Sequence, residues 1–188
     1  MQPMLRPTSS NRSLVDRMIG VTKLDNATLS SIRLDVDATS QALIVVALAA
    51  VAAGIGAIGH DQPGIIWQII KAIGGWAIFS VIAFFIGTLF TSRSQRVTLG
   101  QVLRLIGFAQ APKIIGALAV IPLVGWIAGF AAAIWFLVVA IAALREAFGV
   151  STGVATIIGV LSLAAVFVVN VVVATIFNIA GGLVGWLF

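Results

Sequence analysis

The hydrophobic positions of this chain fall in long unbroken runs, not in the alternation of strands or the one-sided stripes of soluble helices. Ala42 to Gly59 holds 18 residues without a charge, and Ile65 to Phe90 holds 26 interrupted only by Lys71. Gly125 to Leu144 adds 20 uncharged residues, and Val154 to Phe177 is built mainly of Val, Ile and Ala. A helix needs about 20 apolar residues to cross the hydrocarbon layer, so each run predicts a membrane span. The remaining apolar stretch, Ile114 to Leu123, is too short to cross alone and must borrow from Phe108 onward. The prediction is an all-α, polytopic integral membrane helical bundle. Its five transmembrane helices run at about 41–59, 65–90, 108–123, 125–144 and 154–177, with an interfacial or broken helix before the third and an apolar tail over 178–188.

Smaller features refine these elements. In Thr98 to Gln110, Leu99, Val102, Leu103, Leu105, Ile106 and Phe108 mix with Gln101 and Arg104, which reads as a helix lying at the interface. Pro112 disfavours helical geometry at Ala111 and predicts a break. Gly74-Gly75 marks a thin or kinked point in the second span, and Lys71 is expected to carry its ammonium back to the interface. Ala50, Ala53, Gly54, Gly56 and Ala57 give the first span a small-residue face. Gly125, Gly129 and Ala133 do the same for the fourth, and both faces suit close helix packing. Trp126 and Trp186 are expected at an interface, and Trp135 against a neighbouring helix. Arg145 to Ser151 reads as a loop in which Ser151 or Thr152 caps the next helix.

Residues 1–40 form the only long polar segment. Leu14, Val15, Met18 and Ile19, then Leu29, Ile32 and Val36, fall at helical spacing, so two short amphipathic helices or an unstructured tail both fit. Residues 6–11 are expected to be flexible. No signal-peptide cleavage pattern follows the first apolar run.

Composition agrees with a membrane chain: 61% of the 188 residues are apolar and 9% are charged, against about 25% charged in soluble domains. Without cysteine, disulfides and thiolate metal sites are excluded. The net charge of +5 lies beside apolar spans, which points to bilayer orientation and anionic headgroups rather than nucleic acid. With five spans, Arg6, Arg12, Arg17, Lys23, Arg33, Arg93, Arg96, Arg104, Lys113 and Arg145 share one side, and Lys71 alone is on the other. The positive-inside rule then places the amino terminus in the cytoplasm and the carboxyl terminus across the membrane.

Three residue groups carry a family likeness. They are Ile106-Gly107-Phe108-Ala109-Gln110-Ala111-Pro112, the span end Leu144-Arg145-Glu146-Ala147-Phe148-Gly149, and the early Asp16-Arg17-Met18-Ile19-Gly20. In these the chain, from about Arg12 to Phe177, resembles the Yip family, the Ypt/Rab-interacting proteins, in a bacterial form. The resemblance implies five spans, a cytoplasmic amino terminus, no catalytic residues and no cofactor. It also implies a bacterial inner membrane location. Phe108 stands where the family usually has tyrosine, the family's Asp-Leu-Tyr-Gly-Pro element is absent, and the chain has no tyrosine, so binding of Rab-type GTPases is not carried over.

Catalytic material is scarce. None of the six carboxylates lies inside a predicted span, so a paired-carboxylate relay has nothing to work with. His60, the only histidine, sits beside Asp61 in a turn and reads as solvated rather than metal-bound. No serine–histidine pair or phosphate-binding glycine loop is present. The expected function is therefore non-enzymatic: organising membrane, or gripping lipid headgroups, a protein partner or a second copy through a basic cytoplasmic face. Arg93, Arg96, Arg104, Lys113, Arg145 and Glu146 are the candidate contacts, with Arg145 and Glu146 expected to pair at the interface. Gly107, Phe108, Pro112, Gly125, Gly129 and Asn170 are the candidate structural positions. A small transporter, channel or lipid scramblase is the alternative, using the break at Pro112 and the polar Asn170. The plainer role for Asn170 is an interhelical hydrogen bond.

Overall fold

The computed structural model describes residues 13–56, 65–91, 96–121 and 124–185. The expectations for residues 6–11, His60, Asp61, Arg93 and Trp186 lie outside these residues. Every regular element described is helical. Two short helices, α1 (Leu14–Thr22) and α2 (Asn26–Leu34), precede α3 (Ala38–Gly56) and α4 (Ile65–Phe90). Then come α5 (Leu99–Phe108), a 3₁₀ helix (Ala111–Val120), α6 (Val124–Phe148) and α7 (Thr152–Gly185).

Local chemistry sets the short helices. Ser13 and Asp16 form a reciprocal capping box at the start of α1, and the Asp25 carboxylate accepts from the Ala27 and Thr28 N–H groups at the start of α2. Thr98 and Gln101 repeat the capping box on α5. Ser151 accepts from the Val154 N–H, as its place before α7 predicted. Leu24 (φ 60°) turns the chain between α1 and α2.

The long apolar runs become helices, with three differences from expectation. Four described helices, not five, are long and apolar enough to cross a membrane: Ala38–Gly56, Ile69–Phe90, Val124–Phe148 and Thr152–Ile176. The stretch expected as the third span is not one α-helix, because α5 ends at Phe108 and the next ten helical residues wind as a 3₁₀ helix. Pro112 has no N–H to give an α-helical ladder and crowds the preceding turn. Arg145 and Glu146 belong to α6 rather than to a loop, and α6 stops at Gly149 (φ 61°), whose N–H bonds the Arg145 carbonyl. Finally, α7 runs on past Phe177, the expected end of the last span, through Gly185 into what was expected as an apolar tail.

Packing divides the bundle lengthwise. One half is a dense core in which α1, α2 and α5 close over the ends of α3, α4, α6 and α7. It buries Val21, Leu29, Ile32, Val45, Leu105, Phe108, Leu144, Phe148 and Ile158. The other half exposes Ile66, Trp67, Trp126, Ile127, Phe130 and Phe167. Apolar surface on this scale belongs in lipid, and the molecule is a multi-pass membrane protein. Gly87, near the end of α4, lies so close to Phe148 at the end of α6 that a Cβ has no room. Gly107 lets α5 seat on α3, where an added Cβ would come 2.7 Å from that of Ala42. α3 packs most extensively against the 3₁₀ helix, and of its small residues Ala50, Gly54 and Gly56 are buried while Ala53 is exposed.

Candidate functional site

At the packed end, arginines and carboxylates from distant parts of the chain meet. Arg17 lies one helical turn from Leu14 and Val21 on the buried face of α1, and its Nη2 bonds Asp35 Oδ2 at 2.5 Å. Burial alone would push the Asp35 carboxyl up. The hydrogen bond and charge of Arg17, with the Asp37 and Ala38 N–H groups, outweigh it and hold the group below its ordinary value of 3.8. Arg104 of α5 is buried, and donates to the Arg33 carbonyl at 2.8 Å and Thr39 Oγ1 at 3.3 Å. Glu146 of α6 accepts from Ser30 Oγ at 2.8 Å and lies 3.3 Å from Arg33 Nε. Arg145 Nη2 reaches Asn26 Oδ1 at 2.6 Å. Halfway along α6, Trp135 donates its indole N–H to the Thr22 carbonyl at 2.9 Å.

These contacts fasten the α1–α2 hairpin to the bundle. Arg145 and Glu146 do not pair with each other. Being adjacent in a helix they point about 100° apart, and each finds its own partner on α2. Of the stripe predicted on α1, Leu14 and Met18 are half-buried while Val15 and Ile19 face out. Leu29 and Ile32 are fully buried but Val36 is exposed. Arg96 is exposed just before α5, and Lys23 is exposed in the hairpin turn. A recess of about 400 Å³ opens over the Arg17–Asp35 pair, bordered by Ser31, Asp37 and Gln41.

Lys113 is placed elsewhere. It sits in the 3₁₀ helix with its Nζ 3.6 Å from the centre of the Phe136 ring. Together with Lys71 and Gln110 it lines a cavity of about 470 Å³ whose other walls are apolar residues of α3, α4, α6 and α7. Lys71 borders this cavity and is exposed. Phe108 and Pro112 are buried beside Gly107. Gly125 is buried, but a Cβ on Gly129 would meet nothing within 4 Å and Ala133 is exposed, so this stripe makes no close helix contact within the chain. Gly74 and Gly75 do not interrupt α4. Asn170 is exposed and donates to the Val166 carbonyl of its own helix at 2.8 Å, not to a neighbour. Trp126 is exposed and stacks on Phe130. Among the described residues no group of three or more His, Asp or Glu residues is arranged to hold a metal.

The sequence reading missed Asn26, Ser30 and Thr39 as partners. Their signal was weak, because a serine or asparagine on a polar helix face looks like solvated surface. Arg17 was legible in principle, since it stands three residues after Leu14 and four before Val21, in the middle of an apolar stripe.

The family model of the Yip1 domain matches residues 26–174, from the first residue of α2 to far along α7. The chain belongs to the Yip1 domain family. The match takes in α2, α5, the 3₁₀ helix and the end of α6, so the charged latch on the hairpin and the lysine-lined cavity both lie within the Yip1 domain. Arg17 and the rest of α1 precede it. No curated protein and no solved structure matches the chain.

Proposed function

We propose that this Yip1-domain protein is a non-catalytic membrane bundle that presents a cationic end to anionic lipid headgroups on the cytoplasmic side. One observation carries the reading: among the described residues that end holds six cations, Arg17, Lys23, Arg33, Arg96, Arg104 and Arg145, against five carboxylates, Asp16, Asp25, Asp35, Asp37 and Glu146. Asp35 holds Arg17 and Glu146 takes Ser30 and Arg33, while Lys23 and Arg96 stay exposed. Positive charge at the surface is left over, and each exposed cation near an anionic bilayer contributes about 1 kcal/mol of attraction. The sequence adds Arg93 to the same connection. Arg104, Arg145 and Glu146 serve this surface indirectly, by holding the hairpin in place.

The packing also supports five crossings. α4 and α6 finish side by side at Gly87 and Phe148, so residues 91–123 have to return the chain before α6 begins. α5 rises about 15 Å and the 3₁₀ helix about 20 Å, close to the roughly 38 Å length of α6. The two pieces in tandem act as the third crossing, with the amino terminus cytoplasmic and the carboxyl terminus opposite. The likeness of Asp16–Gly20 to bacterial members favours a bacterial inner membrane.

Energy transfer from the protein's tryptophans to pyrene-labelled phosphatidylglycerol or phosphatidylcholine in proteoliposomes tests the headgroup reading. Transfer to phosphatidylglycerol is expected to exceed that to phosphatidylcholine, and the excess to fall by at least half in a Lys23→Gln, Arg93→Gln, Arg96→Gln variant. Equal transfer to both lipids in the unaltered protein refutes the reading.

A further inference from the structure

We propose that the cavity between α3, α4, the 3₁₀ helix, α6 and α7 is a binding site for one anionic phospholipid, taken laterally from the bilayer. It is separate from the exposed cations of the packed end and does not depend on them. The volume of about 470 Å³ lies in the range of pockets that hold small organic ligands. Its walls are mainly apolar, from Val46, Trp76, Phe79, Phe136, Leu163 and Val166, which suits an acyl chain. Two lysines break that apolar lining. Lys71 is the seventh residue of α4 and the third of its apolar stretch Ile69–Phe90, and it is exposed where it borders the cavity. Lys113 comes from the 3₁₀ helix and rests on the Phe136 ring.

Neither ammonium meets a carboxylate among the described residues. A lysine taken into an apolar bundle normally pairs with an acid or a carbonyl, because solvation lost inside the membrane is costly. The ring face satisfies Lys113 only in part, and its N–H donors remain available. Two cations lining one mainly apolar cavity in a membrane bundle, Lys71 exposed and Lys113 half-buried, have one abundant complement there, a phosphate bearing acyl chains. The Gln110 amide adds a donor for a phosphate or ester oxygen. Gly75 lines the same cavity, and a Cβ there meets nothing within 4 Å, so the wall is open at this point rather than closed by close packing.

Native mass spectrometry of the full chain released from nanodiscs tests the assignment. The nanodiscs contain dioleoylphosphatidylglycerol and dioleoylphosphatidylcholine at one to three. One phosphatidylglycerol is expected to stay bound after detergent washing, enriched at least fivefold over phosphatidylcholine. Lys71→Gln and Lys113→Gln are each expected to lower that occupancy at least threefold. Gly75→Leu keeps both cations but fills the cavity, and is expected to abolish retention while the helical circular dichroism and thermal midpoint stay near those of the parent. Lys23→Gln with Arg96→Gln is expected to leave retention unchanged, which separates this site from the surface proposed above. Equal retention of the two lipids, or undiminished retention in Gly75→Leu, overturns the proposal. Preferential capture of oleate over phosphatidylglycerol when both are offered overturns the phospholipid assignment.

Discussion

At the scale of single residues, one methyl group separates a contact from a clash. Gly107→Ala places a Cβ 2.7 Å from that of Ala42, and overpacking of this kind costs about 1–3 kcal/mol. Its thermal unfolding midpoint in detergent is expected to fall, and Ala42→Gly in the same chain to restore part of the loss. Gly129→Ala, facing open space, is expected to stay within about 0.5 kcal/mol of the parent. The two glycines look alike in sequence, since each lies in an apolar run with small neighbours. What distinguishes them is a residue 65 positions earlier, at Ala42, and no local pattern carries that information. Asn170 teaches the same lesson in reverse. A polar residue in an apolar run invites a partner on another helix, yet its own backbone four residues back satisfies it.

At the scale of elements, the α1–α2 hairpin and α5 are where charge does structural work. Removing the carboxylate with Asp35→Ala takes a hydrogen-bonded partner from a buried guanidinium and is expected to destabilise the docked hairpin by about 1–3 kcal/mol, read by hydrogen exchange over 13–34. The pH dependence follows from the lowered carboxyl of Asp35. A carboxylate whose folded value is depressed stabilises above the unfolded value and loses that contribution as pH falls through the folded one. Hairpin protection is therefore expected to be level from neutral pH down to about 5 and to decline below 3.8, and Asp35→Asn to remove the decline. On α5, Thr98→Ala breaks the capping box and is expected to cost about 1 kcal/mol. The long apolar helices were legible because continuous hydrophobicity needs no partner to be recognised, and the cap at Ser151 is a short-range signal. The 3₁₀ helix was not. Pro112 announces a break, but whether the chain then loops or winds tighter depends on α3 beside it.

At the scale of the whole molecule, the decisive question is where the chain crosses. Because the protein has no cysteine, single cysteines report sidedness directly. Lys23→Cys and Thr98→Cys are expected to react with a membrane-impermeant maleimide from the cytoplasmic side, and Val124→Cys only from the opposite side. Labelling of Val124→Cys from the same side as Thr98→Cys would mean that α5 and the 3₁₀ helix fold back without crossing. The membrane class was fully legible from composition and run length. The charge bias grouped Arg17, Arg33, Arg104 and Arg145, which do meet, but it put Lys113 with them and Lys71 apart, whereas those two line one cavity. It missed that several are there to hold the protein together: Arg17, Arg33 and Arg104 spend their donors inside the chain, and a charge count cannot separate an orienting cation from a fastening one.

The hairpin's fastening also sets an order of events during synthesis. Ser30 and Asn26 leave the ribosome early, yet their partners Glu146 and Arg145 follow 116 and 119 residues later. At about 5–20 residues per second, the hairpin waits many seconds for these two partners, with Arg104 of α5 reaching the Arg33 carbonyl in the meantime. Its polar latch therefore closes only when the end of α6 has arrived. A nascent chain halted before residue 145 is expected to leave α1 and α2 open to protease, and one halted beyond α7 to protect them. The contacts that seat the hairpin in the mature protein thus join the two ends of the membrane domain's synthesis in time as well as in space.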